Sequence, residues 1–269
     1  AWSYRILFIV LAAIALVCML VPCMKLKEKE FVDARPSESN AMKSLTKTFK
    51  NRNFRWFAAS DIAYWIGLTL FQTGLPFFVK VSMQLDEFYT TVFLGGMTVL
   101  SACFYPFVSK LVAKHGKKKL VIIGFIGLAV AYVITALIGI IPGLTGIIPG
   151  VLIVIIAAFP MALLGIIPQA IVADVAEQDA VLTGEKREGM FFAARTFAMK
   201  FGQSVAMLVF TSLAVIGAAQ DLTSNDLTAS PVGLRIVAIV AVCFCVLGAI
   251  ILGTYDEKKV MGDITKSGE

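Results

Sequence analysis

Seven long apolar runs occupy nearly all of this chain, at about Trp2–Met24, Phe54–Val81, Thr90–Val112, Leu120–Ile141, Ile147–Val175, Met190–Ala219 and Val232–Thr254. A helix needs roughly 20 apolar residues to cross the ~30 Å hydrocarbon core of a bilayer, and every run meets that length. Helices close their backbone hydrogen bonds within the segment, as lipid demands, and the short alternating strands of a membrane barrel are absent from the pattern. With 58% hydrophobic and 16% charged residues over 269 positions, the chain has too few polar residues to cover a soluble domain. The expected fold is an all-α polytopic membrane protein.

The basic residues set the expected orientation. Most of the 24 fall on alternate connections: Lys25 to Arg55 after the first run, Lys110 to Lys119 after the third, Lys186 and Arg187 after the fifth, and Lys258, Lys259 and Lys266 in the tail. The opposite connections hold Lys80 with Asp86, Glu87, Asp221 and Asp226. Positive-inside bias then predicts a multi-pass protein of the cell membrane, with the N-terminus of this chain outside and the C-terminus cytoplasmic. Lipid-headgroup attraction accounts for the remaining basic excess, and no aromatic interleaving suggests nucleic acid.

Residues 25–53 form the one long polar junction, broken by Pro36 and Ser37. Met42, Leu45, Phe49 and Phe54 recur at helical spacing there and predict a short surface helix leading into the membrane. This divides the chain into a single helix (1–24), a cytoplasmic linker (25–53), a six-helix bundle (54–254) and a cytoplasmic tail (255–269). Ala1–Arg5 runs directly into a full-length span, which fits an internal start better than a signal peptide. Pro142, Gly143, Gly146, Pro149 and Gly150 predict a turn before the fifth span, and Ser230-Pro231 a capped start to the seventh.

The five cysteines lie in or beside apolar runs and read as packing residues; His115 has no acidic or cysteine partner nearby. Neither a metal-ligand set nor a catalytic constellation is expected, and the chain does not read as an enzyme.

Chemistry concentrates in polar residues at membrane depth. Lys200 lies about ten residues into the sixth run, roughly 15 Å deep. A charge there costs a few kcal/mol unless it meets a cavity or an opposite charge. Thr196, Lys200, Gln203 and Met207 share one helix face, while Arg195 points elsewhere and sits nearer the helix start. The second run carries a matching stripe of Asp61, Trp65, Leu68 and Gln72, flanked by Tyr64 and Thr73. Asp61 needs a counter-charge, for which Lys200 and Arg55 are the candidates. An aromatic face beside hydrogen-bonding groups suits a sugar ring; Trp65 facing lipid is the alternative. Around the end of the fifth run, Asp174, Glu177, Lys186 and Arg187 form a charged mouth that can pair with another bundle, whereas Asp179 and Glu185 read as a solvated loop.

The stretch from Ile171 to Ser204 resembles the glycoside–pentoside–hexuronide:cation symporters, the melibiose-permease relatives within the major facilitator superfamily. Ala173, Asp174, Thr183, Gly184, Lys186, Arg187, Glu188, Gly189, Met190, Lys200 and Gly202 carry the likeness, joined by the NRNF run at Asn51–Phe54. Glu177 and Gln178 depart from the Asp-Tyr common in relatives. The loop of Ser109, Ala113, Lys114, Gly116 and Lys117 keeps the superfamily's bases and glycine but lacks its aspartate.

The resemblance implies a major-facilitator-type bundle whose seven helices are the last seven of twelve, with an N-terminal bundle of the same protein as partner. Lys200 and Thr196 would line the substrate cavity, and Asp174 and Arg187 would belong to a cytoplasmic gate. The implied activity is secondary active transport of a sugar or glycoside by alternating access, with co-transported Na⁺ or H⁺ bound chiefly in the N-terminal half. Some relatives carry lysolipids instead. A seven-helix receptor or retinal-type protein is the reading from a different class, suited by the helix number and the intramembrane lysine.

Overall fold

The computed structural model describes residues 2–25, 41–141, 146–217 and 229–267, and all regular structure among them is helical. In chain order the helices are α1 (Trp2–Lys25), α2 (Ala41–Lys50), α3 (Arg52–Phe77, continued by a π turn at Phe78–Ser82), α4 (Phe88–His115) and α5 (Lys117–Leu137). They continue with α6 (Ile147–Thr183), α7 (Glu188–Ala214), α8 (Pro231–Gly253) and α9 (Glu257–Ser267). Among the described residues seven helices, α1 and α3 to α8, are long and apolar enough to cross a membrane. The chain divides into two compact units, Ala1–Glu38, which holds α1, and Ser39–Glu269, which holds all the others.

Within the second unit the packing follows the order α7, α3, α8, α5, α6, α4, each helix lying mainly against the next. Lipid tails are as apolar as leucine, so helix association depends on close fit and internal hydrogen bonds rather than on escape from water. Both are present. Phe57, Leu70, Phe125, Leu128, Tyr132 and Leu163 are fully buried. Tyr132 Oη donates to the Gly67 carbonyl at 2.8 Å, tying α5 to α3, and Ser60 Oγ donates to the Gly248 carbonyl at 2.8 Å, tying α3 to α8. At Gly127 an added Cβ would stand 2.5 Å from the Pro160 ring, so α5 and α6 touch through a site that admits no side chain.

Local chemistry sets the helix ends. Asn51 caps α3 by accepting from the Phe54 N–H at 3.1 Å. Ser230 caps α8 by accepting from the Gly233 N–H at 2.9 Å, with Pro231 in the first turn as expected. Gly184 ends α6 at φ +70°, a left-handed conformation that glycine adopts freely.

Three expectations change. Helix α6 runs on to Thr183 rather than stopping near Val175, because its polar last turns are buried: Ala176, Gln178 and Asp179 are covered by neighbouring elements. Pro149 and Gly150 are buried within the first turn of α6, where a missing proline N–H breaks no helical bond. The tail forms the amphipathic helix α9, packed on α6. Helix α2 matches the surface helix read from the linker, with Leu45 and Phe49 against the core and Phe49 stacked edge-on to Phe54 at 5.7 Å. Of the cysteines in the second unit, Cys245 is buried, whereas Cys103 and Cys243 are exposed on the helices rather than packed inside. Residues 26–40, most of the linker, lie outside the described residues, as do Pro142, Gly143, Asp221 and Asp226.

Candidate functional site

Helices α3 and α7 cross where their backbones nearly meet. A Cβ on Gly202 would lie 3.0 Å from the Ile62 carbonyl and 3.3 Å from Trp65 Cβ, so glycine is what allows the approach. Nearer the start of both helices, Arg195 grips Asp61 with two hydrogen bonds, Nε to Oδ2 at 3.0 Å and Nη2 to Oδ1 at 3.2 Å. Both side chains are shut away from solvent, at 9% and 1% exposure. The counter-charge of Asp61 is therefore Arg195, and neither Lys200 nor Arg55 pairs with it. Arg195 lies on the helix side turned away from the Lys200 stripe, which is why it reaches α3.

That arrangement leaves Lys200 without an ion pair or side-chain hydrogen bond among the described residues. It is exposed in the middle of α7, with Thr196 and Met207 exposed and Gln203 half-buried on the same face. Thr196 Oγ1 turns back to the Phe192 carbonyl at 2.9 Å, and Thr73 Oγ1 meets Met207 Sδ at 3.5 Å, carrying the polar stripe across to α3. Trp65 is half-buried at the crossing, its ring 5.4 Å from that of Tyr64.

A cleft of about 210 Å³ opens between α3, α4 and α6. Tyr64 and Gln72 line it, together with Thr98, Ser101 and Tyr105 of α4. Those three were missed in the sequence. Their spacing of three and four residues places them on one face of an otherwise apolar span, and that pattern was the available signal.

Charged groups cluster at the end of the bundle that holds α2 and α9. Lys117 Nζ donates to Asp174 at 2.5 Å, so this carboxylate is held within the bundle. Asp179 is buried, not solvated: it accepts from Arg187 at 2.5 Å and from Asn51 Nδ2 at 3.3 Å. Glu185 is likewise engaged, accepting from Lys47 of α2 at 2.9 Å and lying 3.3 Å from Arg187. The Lys47 hydrogen bond, helped by the Arg187 and Lys43 charges, holds the Glu185 carboxyl below its ordinary range. Gln178 links Asn53, 3.1 Å away, to Asp263 of α9 at 2.7 Å. Glu177 and Lys186 are exposed. The Glu257 carboxylate accepts from the first two backbone N–H groups of α5, Lys117 at 2.6 Å and Lys118 at 3.0 Å.

Among the described residues, seven apolar helices of membrane length, with polar side chains along α3, α4 and α7 and a charged cluster at one end, define a polytopic membrane protein. Residues 1–256 match the family model described as MFS/sugar transport protein, and the chain belongs to that family of secondary transporters. Membership in it replaces the receptor or retinal-protein reading. No curated protein matches the chain significantly.

Proposed function

We propose that this protein is a cation-coupled symporter of the glycoside–pentoside–hexuronide type, moving a sugar or glycoside by alternating access. The observation that carries the reading is Lys200, an ammonium with no ion pair among the described residues, midway along α7 on a stripe with Thr196 and Gln203. An unpaired charge at bilayer depth favours a water-filled cavity that a polar solute can enter. Trp65 supplies an apolar face beside the stripe, and Gln72 and Tyr64 extend hydrogen-bonding groups toward α4. Asp61 and Arg195 neutralise one another, so in this proposal they hold the α3–α7 wall in place and only indirectly shape the site.

Transport then requires a second, N-terminal bundle facing this one, where the coupling Na⁺ or H⁺ finds its main site. Asp174, Glu177, Lys186 and Arg187 surround the cytoplasmic mouth, with α2 continuing the inter-bundle linker. In this orientation the clusters around α2, the α4–α5 turn, the α6–α7 turn and α9 all face the cytoplasm, in keeping with their charge.

The test is uptake of labelled glycosides into proteoliposomes carrying the full transporter, with Na⁺ or proton gradients imposed separately. Gradient-driven accumulation of a glycoside, lost in Lys200→Gln, is the expected result. Absence of gradient-dependent uptake across a broad sugar panel overturns the reading, as does gradient-driven uptake of lysophospholipid alone.

A further inference from the structure

Away from the polar side, a groove of about 250 Å³ runs between α5 and α8. Ile126, Val130 and Val133 line it from α5, and Cys245, Val246 and Ala249 from α8; no polar surface is exposed along it. The lining takes no part in the solute site above. Val130 and Val246 are exposed, so the groove is open along the outside of the bundle.

An open apolar groove at bilayer depth is filled by hydrocarbon, since a void forfeits the dispersion contacts of its walls. Filling alone selects no lipid, because every tail is equally apolar. Selection must come from the groove's end, and the sequence supplies it. Lys119, Ile123, Ile126, Val130 and Val133 follow steps of four, three, four and three residues, a single stripe on α5. Lys119 stands about 10 Å above Ile126 along the helix, and the stripe reaches Val133 about 21 Å down. That run covers one leaflet of a ~30 Å core, the length an acyl chain spans beneath its headgroup.

The charge at this end is positive and uncommitted. Lys119, Lys258 and Lys259 are exposed and form no ion pair among the described residues. The nearby acids are occupied: Glu257 by the two α5 backbone N–H groups, and Asp256 by the Lys259 N–H at 3.1 Å. Lys118 is also taken, donating to the Gly253 and Tyr255 carbonyls at 2.7 Å each.

We infer that the α5–α8 groove is a binding site for an anionic glycerophospholipid, one acyl chain lying along Ile126–Val133 and the phosphate headgroup at Lys119. Basic pockets between membrane helices capture acidic headgroups in this way. The site is independent of the solute reading and stands or falls separately.

Native mass spectrometry of the chain in mild detergent, with dioleoyl phosphatidylglycerol or dioleoyl phosphatidylcholine added, tests it. Phosphatidylglycerol should be retained about fivefold more tightly, the contribution of one interfacial lysine. Lys119→Gln should cut the preference for phosphatidylglycerol, leaving only what Lys258 and Lys259 add, and Val130→Trp, which blocks the groove from an exposed position, should remove retention of both. Lys119→Gln decides the matter by itself should the tryptophan variant fail to fold. Equal retention of both lipids in the wild type, an unchanged preference in Lys119→Gln, or a doubled mass in place of lipid adducts overturns the assignment, the last in favour of a second copy of the chain.

Discussion

Asp61 and Arg195 come from positions 134 residues apart, yet they form a buried ion pair across the α3–α7 contact. Removing one partner strands the other in a dry setting. Arg195→Leu should therefore destabilise the bundle by about 3–5 kcal/mol, while the Asp61→Leu/Arg195→Leu pair recovers much of the loss. Thermal midpoints of the three purified variants check this, and a single variant as stable as wild type refutes it. Lys200 behaves oppositely. Because Lys200 has no ion pair among the described residues, Lys200→Gln should leave stability within about 0.5 kcal/mol of wild type, read from the thermal midpoint, while abolishing the solute uptake proposed above. The difference between the two bases was only half legible in the sequence. Helical spacing separated Arg195 from the Lys200 stripe correctly. Which of them meets Asp61 depends on how far α3 and α7 rotate against one another, and spacing within one helix says nothing about that.

At the level of elements, the α3–α7 crossing hinges on Gly202, and α5 on a cap from α9. Gly202→Leu should prise the helices apart at Ile62 and Trp65 and lower stability by about 1–3 kcal/mol, read as a drop in thermal midpoint. An unchanged midpoint would mean the crossing tolerates bulk. Glu257→Ala should cost about 0.5–2 kcal/mol and speed hydrogen exchange at the Lys117 and Lys118 amides, with no change at α8 amides. Apolar runs located all seven spans, because lipid leaves few alternatives for a long hydrophobic segment. They misplaced the end of α6 for the same reason. Hydropathy stops where the apolar residues stop, whereas the helix stops at Gly184 after turns whose polar side chains, Gln178 and Asp179, find partners in α2–α3 and α9. Helix α9 was hidden because its partners lie far away in sequence.

Across the bundle as a whole, ions and amides draw one end together, while Gln72, Thr98, Ser101 and Tyr105 line the cleft between α3, α4 and α6 and Lys200 stands exposed on α7. Lys47–Glu185–Arg187–Asp179 joins α2 to the α6–α7 turn. Glu185 has a lowered pKa in the folded chain, so its stabilisation is complete above the unfolded value near 4.5 and is lost as pH falls through the folded value. The advantage of wild type over Glu185→Gln in thermal midpoint should hold at pH 7 and shrink progressively as the pH is taken down below 4.5. A constant difference across that range refutes the role of this carboxylate. The charge run around Lys186 and Arg187 was visible in the sequence as a mouth, but which acids are buried in it was not. Asp179 reads as loop until α6 is seen to continue past it.

The Glu257 cap gives the protein an order of assembly. Helix α5 leaves the ribosome long before the carboxylate that completes its first turn, which sits 140 positions downstream. Through all of that translation the start of α5 waits with open amides. A fusion or truncation that disturbs α9 and its Glu257 should thus show up as poor biogenesis and rapid quality-control degradation, while molecules that mature would turn over solute at the ordinary rate.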